Sequence, residues 1–277
     1  MNNIVSSLAG KNYWAVILGG SSGFGLAAAK KLATLGINIC IVHRDRKGSM
    51  ERIEKEFEVI RKTDVQFKAF NLDALKPEGI NTVLTDLATT TSGGKVRVLL
   101  HSIAFGSLKS VAPIKDETIQ NYESMSLLQD EELAETIYSM GTSLLSWTRE
   151  IFTRKLFAED ARVFGLTSEG NEIAWRGYAA VSAAKVALEA VSRSIAREYA
   201  PFGIRSNILQ PGVTDTPALR LIPGNEGLRS HAVAKNPFGR LTTPEDVAGV
   251  VALLTMPEAA WINGSIIRVD GGERIAG

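Results

Sequence analysis

The sequence predicts an α/β domain built on a parallel, doubly wound sheet. Three observations carry that prediction. Short β-branched runs alternate with longer helical patterns along almost the whole chain, the runs are apolar throughout instead of alternating with polar residues, and a glycine-rich turn follows the first of them. Strands covered by helices on both faces read as continuous apolar runs. The 277 residues suffice for one such domain with a full core, and no Pro/Gly/Ser-rich linker or repeat divides them, so residues 1–277 are expected to form a single domain.

In order, WAVIL (14–18) reads as the first buried strand, followed by a glycine loop and the helix FGLAAAKKLATLG. INICIV (37–42) is the second strand and SMERIEKEFEVIRK an amphipathic helix. VQFKAF (65–70) and VRVLL (96–100) are the third and fourth strands, separated by a helical stretch near 80–90. A long helical region, about 130–157, leads to the strand ARVFGL (161–166). A helix carrying Tyr178 and Lys185, the strand IRSNIL (204–209), a helix near 244–255 and the strand SIIRV (265–269) complete the pattern. In such a fold ligands sit beyond the carboxyl ends of the strands.

Composition removes several function classes. A formal net charge of +1 gives no basic excess for nucleic acid or an anionic membrane surface. No run approaches the eighteen apolar residues of a membrane span, and the first residues lack the charged and apolar regions of a secretion signal, so a soluble, cytoplasmic protein is expected. Cys40 is the single cysteine and lies in an apolar run, where a buried thiol is expected. His43, His101 and His231 have no partner at metal-ligand spacing, so no metal is expected.

The loop LGGSSGFG places Gly19, Gly23 and Gly25 in the order G-xxx-G-x-G between the first strand and the first helix. Glycines there allow a tight turn and let a pyrophosphate approach the amides of a helix N-terminus, so Gly19, Ser21, Ser22, Gly23, Phe24 and Gly25 are candidate dinucleotide-binding residues. Where an NAD-preferring site usually holds an acid after the second strand, this chain has His43 and then Arg44. An arginine fork suits a 2′-phosphate, which favours NADPH with NADH still possible. Arg44 and Arg46 read equally well as solvated loop charges.

Tyr178 and Lys185 are separated by six residues. On a helix, positions seven apart differ by only about 20° around the axis, which would put both side chains on one face. An ammonium near a phenol favours the phenolate and makes the tyrosine a better proton donor. The plain alternative is an aromatic that begins a helix beside a solvated lysine.

Together the glycine loop, the Tyr–Lys helix and PGVTDT resemble the short-chain dehydrogenase/reductase superfamily over about 12–272, with Leu18 where a threonine is usual. NPFGRLTTPEDVAGVVALL and INGSIIRVDGG are similar to that superfamily's C-terminal helix and last strand. The resemblance implies a Rossmann fold. Most members place lysine four residues after tyrosine. Tyr178-x6-Lys185, HSIAFG (101–106) in place of the usual NNAG, and TDTPALRLIPG resemble the enoyl-acyl-carrier-protein reductase branch.

That resemblance implies NAD(P)H-dependent reduction of an enoyl thioester carried on acyl carrier protein, by a homo-oligomer, with a tetramer expected. It implies that Tyr178 stabilises the enolate, that Lys185 holds the nicotinamide ribose and tunes Tyr178, and that Thr214 or Thr216 steadies the carboxamide. Asn71, Leu72, Ser102, Ile103, Ala104, Pro211, Gly212 and Val213 join the candidate cofactor set. Hydride delivered to a β-carbon places negative charge on an oxygen two bonds further out, which would suit a displaced acid.

Two departures from the family pattern matter, the first weakening the enoyl assignment and the second, a lost asparagine, favouring enoyl over carbonyl reduction. Ser168 stands ten residues before Tyr178, where many enoyl reductases carry a second tyrosine. Its hydroxyl would bind a thioester oxygen, or would match the serine of ketoreductases. The asparagine that carbonyl-reducing members place in the central helix is missing, with Tyr138, Ser139 and Met140 in its neighbourhood, after an insertion at 115–133. A carbonyl reductase or alcohol dehydrogenase is the competing enzyme. A non-catalytic dinucleotide-binding regulator is the competing class, and the presence of both Tyr178 and Lys185 counts against it.

Overall fold

A computed structural model of the chain describes residues 8–113, 126–222 and 224–276. Seven strands form one parallel sheet in the order β3-β2-β1-β4-β5-β6-β7. They are β1 (Tyr13–Leu18), β2 (Asn38–His43), β3 (Phe67–Asn71), β4 (Lys95–His101), β5 (Phe157–Leu166), β6 (Ile204–Pro211) and β7 (Ile266–Val269). Each predicted strand is present, within a few residues of its expected bounds. β1, β2 and β4 are buried along nearly their whole length, as their uninterrupted apolar sequences require.

Helices cover both faces. On one face α1 (Gly23–Ala33), α2 (Met50–Arg61) and, from the C-terminal region, Pro244–Thr255 pack over Ile17, Ile39, Leu100 and Phe164. On the other, α3 (Pro77–Thr90) joins the central helices against Val16, Val42, Leu99 and Val163. The strand order reverses between β1 and β4, and a Rossmann-type sheet opens a crevice at such a point.

The helical region expected at about 130–157 is interrupted. α4 (Asp130–Ile137) runs into a π turn at Tyr138–Thr142 before α5 (Ser143–Thr153), and Phe157 already belongs to β5. The turn lies where Gly141 meets the later helix Ala179–Glu198: a Cβ there would sit 2.6 Å from the Ala184 carbonyl oxygen. Of the insertion expected at 115–133, residues 115–125 lie outside the described residues, and 130–133 form the first turn of α4.

α6 (Ala179–Glu198) begins one residue later than the Tyr–Lys argument assumed. Tyr178 is its N-cap, with φ −107° and ψ 2°, and its carbonyl accepts the first helical bond from the Ser182 N–H at 2.8 Å. The angular relation between helical positions therefore does not apply to this pair. Gly177, at φ +74°, makes the turn that delivers the tyrosine. The remaining helices are α7 (Pro217–Arg220), α8 (Asn225–Lys235), which the sequence pattern did not reveal, and α9 (Pro244–Thr255). Among the described residues no helix is long and apolar enough to cross a membrane, and no group of three or more His, Cys, Asp or Glu side chains is placed to hold a metal ion.

Candidate active site

The carboxyl ends of β1, β4, β5 and β6 converge on one cleft. After β1 the chain turns at Gly19, φ +81°, whose N–H donates to Val42 O at 2.8 Å while the Ser102 N–H donates to Leu18 O at 2.8 Å. A Cβ at Gly19 would lie 2.4 Å from Ser102 O, and one at Gly25 2.3 Å from Gly19 O. The backbone is layered so closely that only glycine fits. Ser22 is the N-cap of α1 in an extended conformation without a side-chain cap, which leaves first-turn amides for an outside acceptor. Ser21 is buried, and Phe24 packs on the core beneath the loop. This cradle fits a pyrophosphate.

At the end of β2 the His43 ring is buried, edge-on to Phe57, and its Nδ1 pairs with Asp45 Oδ2 at 2.9 Å. It therefore faces inward, and the exposed group at this point is Arg44. The Arg44 guanidinium donates to Asp73 Oδ2 at 2.9 Å and lies over the Phe105 ring, 4.6 Å from its centroid. Asn71 bonds the Asp45 backbone through both amide atoms, at 3.0 Å each, and Leu72 continues the ladder to His43 O. Ser102, Ile103 and Ala104 leave the end of β4, with Ile103 packed on the core and Ala104 exposed.

Pro211 ends β6 and the following loop folds over the cleft. The Val213 N–H points at the Glu273 carboxylate, Thr214 Oγ1 donates to Gly212 O at 2.9 Å, and Thr216 caps α7 by accepting from the Leu219 N–H. A Cβ at Gly23 would come within 3.5 Å of Thr216 Cγ2, so this loop meets the glycine loop.

The reactive side chains gather beyond β5. Ser168 Oγ lies 3.3 Å from Tyr178 Oη. Burial raises the phenol above its usual range, and the Ser168 hydrogen bond opposes that effect. Lys185, buried on α6, donates from Nζ to Leu166 O at 2.8 Å, and burial lowers its ammonium to about 8, with Glu189 opposing. The charge of Lys185 also acts on His101. That imidazole is driven down to about 3, first by burial and then by Lys185, so it is neutral at pH 7. His101 Nε2 pairs with Ser143 Oγ at 2.8 Å, just past the π turn, and Nδ1 is buried with no partner among the described residues.

Beside Tyr178, the Trp175 ring stands edge-on at 5.5 Å and lines a cavity of about 180 Å³ with Ile173, Val213 and Leu228 and with the polar Glu169, His231, Lys235 and Glu273. Sequence reasoning missed Phe105 and Asp73, which engage Arg44, and Glu189, which follows Lys185 at helical i,i+4 spacing. That spacing was the signal available for Glu189.

The parallel, doubly wound sheet is the fold that the sequence resemblance implied, and the glycine loop, Ser168, Tyr178 and Lys185 lie at the carboxyl ends of its strands. A family model described as enoyl-(acyl carrier protein) reductase matches residues 19–273. The chain belongs to the short-chain dehydrogenase/reductase superfamily. A 3-oxoacyl-[acyl-carrier-protein] reductase of Vibrio cholerae is 26% identical over 258 residues, covering 93% of this chain and 96% of its own. A tropinone reductase homologue of Arabidopsis thaliana is 29% identical over 267 residues, covering 95% and 91%. Among solved structures, a dehydrogenase/reductase from Sinorhizobium meliloti 1021 superposes with a TM-score of 0.78 at 26% identity, covering 98% and 97%. This superfamily member is an oxidoreductase.

Proposed function

We propose that this oxidoreductase reduces a carbonyl group to an alcohol at the expense of NAD(P)H. The observation that carries the reading is the 3.3 Å approach of Ser168 Oγ to Tyr178 Oη. An oxygen placed between these hydroxyls would accept from both, which is the demand of a carbonyl oxygen that becomes an alkoxide. The relatives named 3-oxoacyl-[acyl-carrier-protein] reductase and tropinone reductase homologue agree with this choice.

Gly19, Ser22, Gly23 and Gly25 would hold the pyrophosphate, Lys185 the nicotinamide ribose, and the loop from Pro211 to Thr216 the carboxamide. When bound, the reduced nicotinamide supplies a hydride. Ser168 orients the substrate oxygen, and Tyr178 Oη gives up its proton to that oxygen. Because burial keeps the phenol protonated, Tyr178 serves as an acid at neutral pH. The phenolate it leaves is stabilised by the Ser168 hydroxyl and by the Lys185 cation until a proton returns from solvent. The cavity lined by Ile173, Trp175, Val213 and Leu228, with Glu169, His231, Lys235 and Glu273 also on its wall, suits a substrate that has both apolar and polar parts.

A second reading, reduction of an enoyl thioester carried by acyl carrier protein, is favoured by the seven-residue step from Tyr178 to Lys185. The asparagine-free π turn at Tyr138–Thr142 favours it too. Side-by-side rates of NADPH oxidation with acetoacetyl and crotonyl thioesters and a cyclic ketone separate the two. Turnover of a carbonyl substrate at least tenfold above crotonyl supports the first, and the reverse supports the second. Exposed Leu253, Trp261 and Ile266, from α9 to the edge strand β7, fit a homo-oligomer, for which light scattering is the test.

A further inference from the structure

Glu189 lies one helical turn beyond Lys185 on α6 and is 8% exposed. Its Oε1 accepts hydrogen bonds from Thr167 Oγ1 and Asn171 Nδ2, each at 2.5 Å. Thr167 immediately precedes Ser168, and Asn171 closes the short 3₁₀ turn Glu169–Asn171 that follows it. One carboxylate thus grips the chain on both sides of the residue whose hydroxyl reaches Tyr178. A carboxylate is costly to bury unless it is hydrogen-bonded and matched by a cation. The two hydrogen bonds meet the first requirement, and toward the second Lys185 lies one turn back on the same helix, where Glu189 favours the charged form of the lysine.

We propose that Glu189 is the positioning residue of this site. Through Thr167 and Asn171 it holds the turn that presents Ser168 to Tyr178, and from one turn away it supplies the counter-charge of Lys185. The assignment rests on the reading of Ser168, Tyr178 and Lys185 as the reactive set.

Among the described residues, the groups that face Lys185 are few. On α6 there is Glu189, and Tyr178, protonated by burial, stands at the helix start. β5 offers the Leu166 carbonyl, and β4 offers His101, a neutral imidazole. Glu189 is the anion among them. Removing its charge therefore makes the lysine lose its proton at lower pH.

Glu189→Gln keeps an oxygen that accepts from Thr167 and Asn171 while removing the charge. The titration of Lys185, followed by NMR of isotope-labelled lysine and assigned with Lys185→Arg, should move down from about 8, and the alkaline limb of kcat should move with it. Thr167→Val and Asn171→Ala release the turn but leave the charge. They should lower kcat by roughly tenfold each while the Lys185 midpoint and NADPH affinity stay within about twofold of the parent, and Thr167→Ser should restore turnover.

An unmoved Lys185 midpoint in Glu189→Gln overturns the counter-charge role. Parental turnover in both Thr167→Val and Asn171→Ala overturns the tether. If Glu189→Gln does not fold, the Thr167 and Asn171 variants decide the proposal. The lysine titration needs no substrate, so it stands or falls separately from the choice between carbonyl and enoyl reduction.

Discussion

On the β1–β2–β3 side of the cleft the ligand-facing surface is mostly backbone: glycines layered within contact of Ser102 and Gly19 carbonyls, and helix amides without a side-chain cap. On the β5–β6 side it is side chains: Ser168, Tyr178 and Lys185, with Glu189, Thr167 and Asn171 behind them. In the proposed reading the first half binds by shape, and at Gly19 and Gly25 it has no room for an added atom. The second acts through buried groups whose protonation is set by burial and by each other, as in the depression of Lys185 to about 8 and of His101 to about 3. Damage to the first half should appear in affinity, and damage to the second in turnover.

The largest effect should come from the chemical half. Tyr178→Phe removes the proton donor and keeps the ring against Trp175, so kcat should fall by roughly 10²–10⁴-fold with NADPH affinity within about twofold, read by steady-state kinetics and fluorescence titration. Loss of cofactor binding of the same size would erase the contrast between the halves.

Gly19→Ala tests the backbone half. Its Cβ would overlap Ser102 O at a positive φ, so stability should drop by about 2–4 kcal/mol and NADPH binding should weaken more than tenfold. Thermal unfolding and titration give both numbers.

Arg44→Ala should cost NADPH about 1–3 kcal/mol of binding and NADH much less, since only NADPH offers a 2′-phosphate to the guanidinium that Asp73 and Phe105 now hold. Equal weakening of the two cofactors would remove that role.

The smallest effect is on stability against pH. His101 binds its proton far less readily when folded, so the unfolded chain takes up more protons between about 6.5 and about 3, and stability falls as pH drops through that window. By about pH 5.5 the loss should approach 1 kcal/mol in denaturant melts, before Asp160 begins to titrate, and His101→Gln should flatten it.

The backbone half was legible because its chemistry is spelled in residue types: only glycine fits at Gly19 and Gly25, and apolar runs alternating with helical patterns give a parallel, doubly wound sheet. The side-chain half was legible in part. Tyr178 and Lys185 stood out by type, yet placing Tyr178 inside the helix was wrong by one residue, because the turn at Gly177 depends on a contact with the distant Leu108 carbonyl. The inward turn of His43 depends on Phe57 and Asp45 together, and no local pattern announces it. The break at Tyr138–Thr142 likewise depends on α6 approaching Gly141. Long-range packing decided what the sequence period could not.

The most direct test of the reaction follows a label. With NADPH deuterated at the transferred position and a 3-oxoacyl thioester as substrate, the deuterium should appear on the carbinol carbon of a 3-hydroxyacyl product. An enzyme that leaves the ketone untouched and places the label on the β-carbon of a saturated chain, when given an enoyl thioester, would contradict this account.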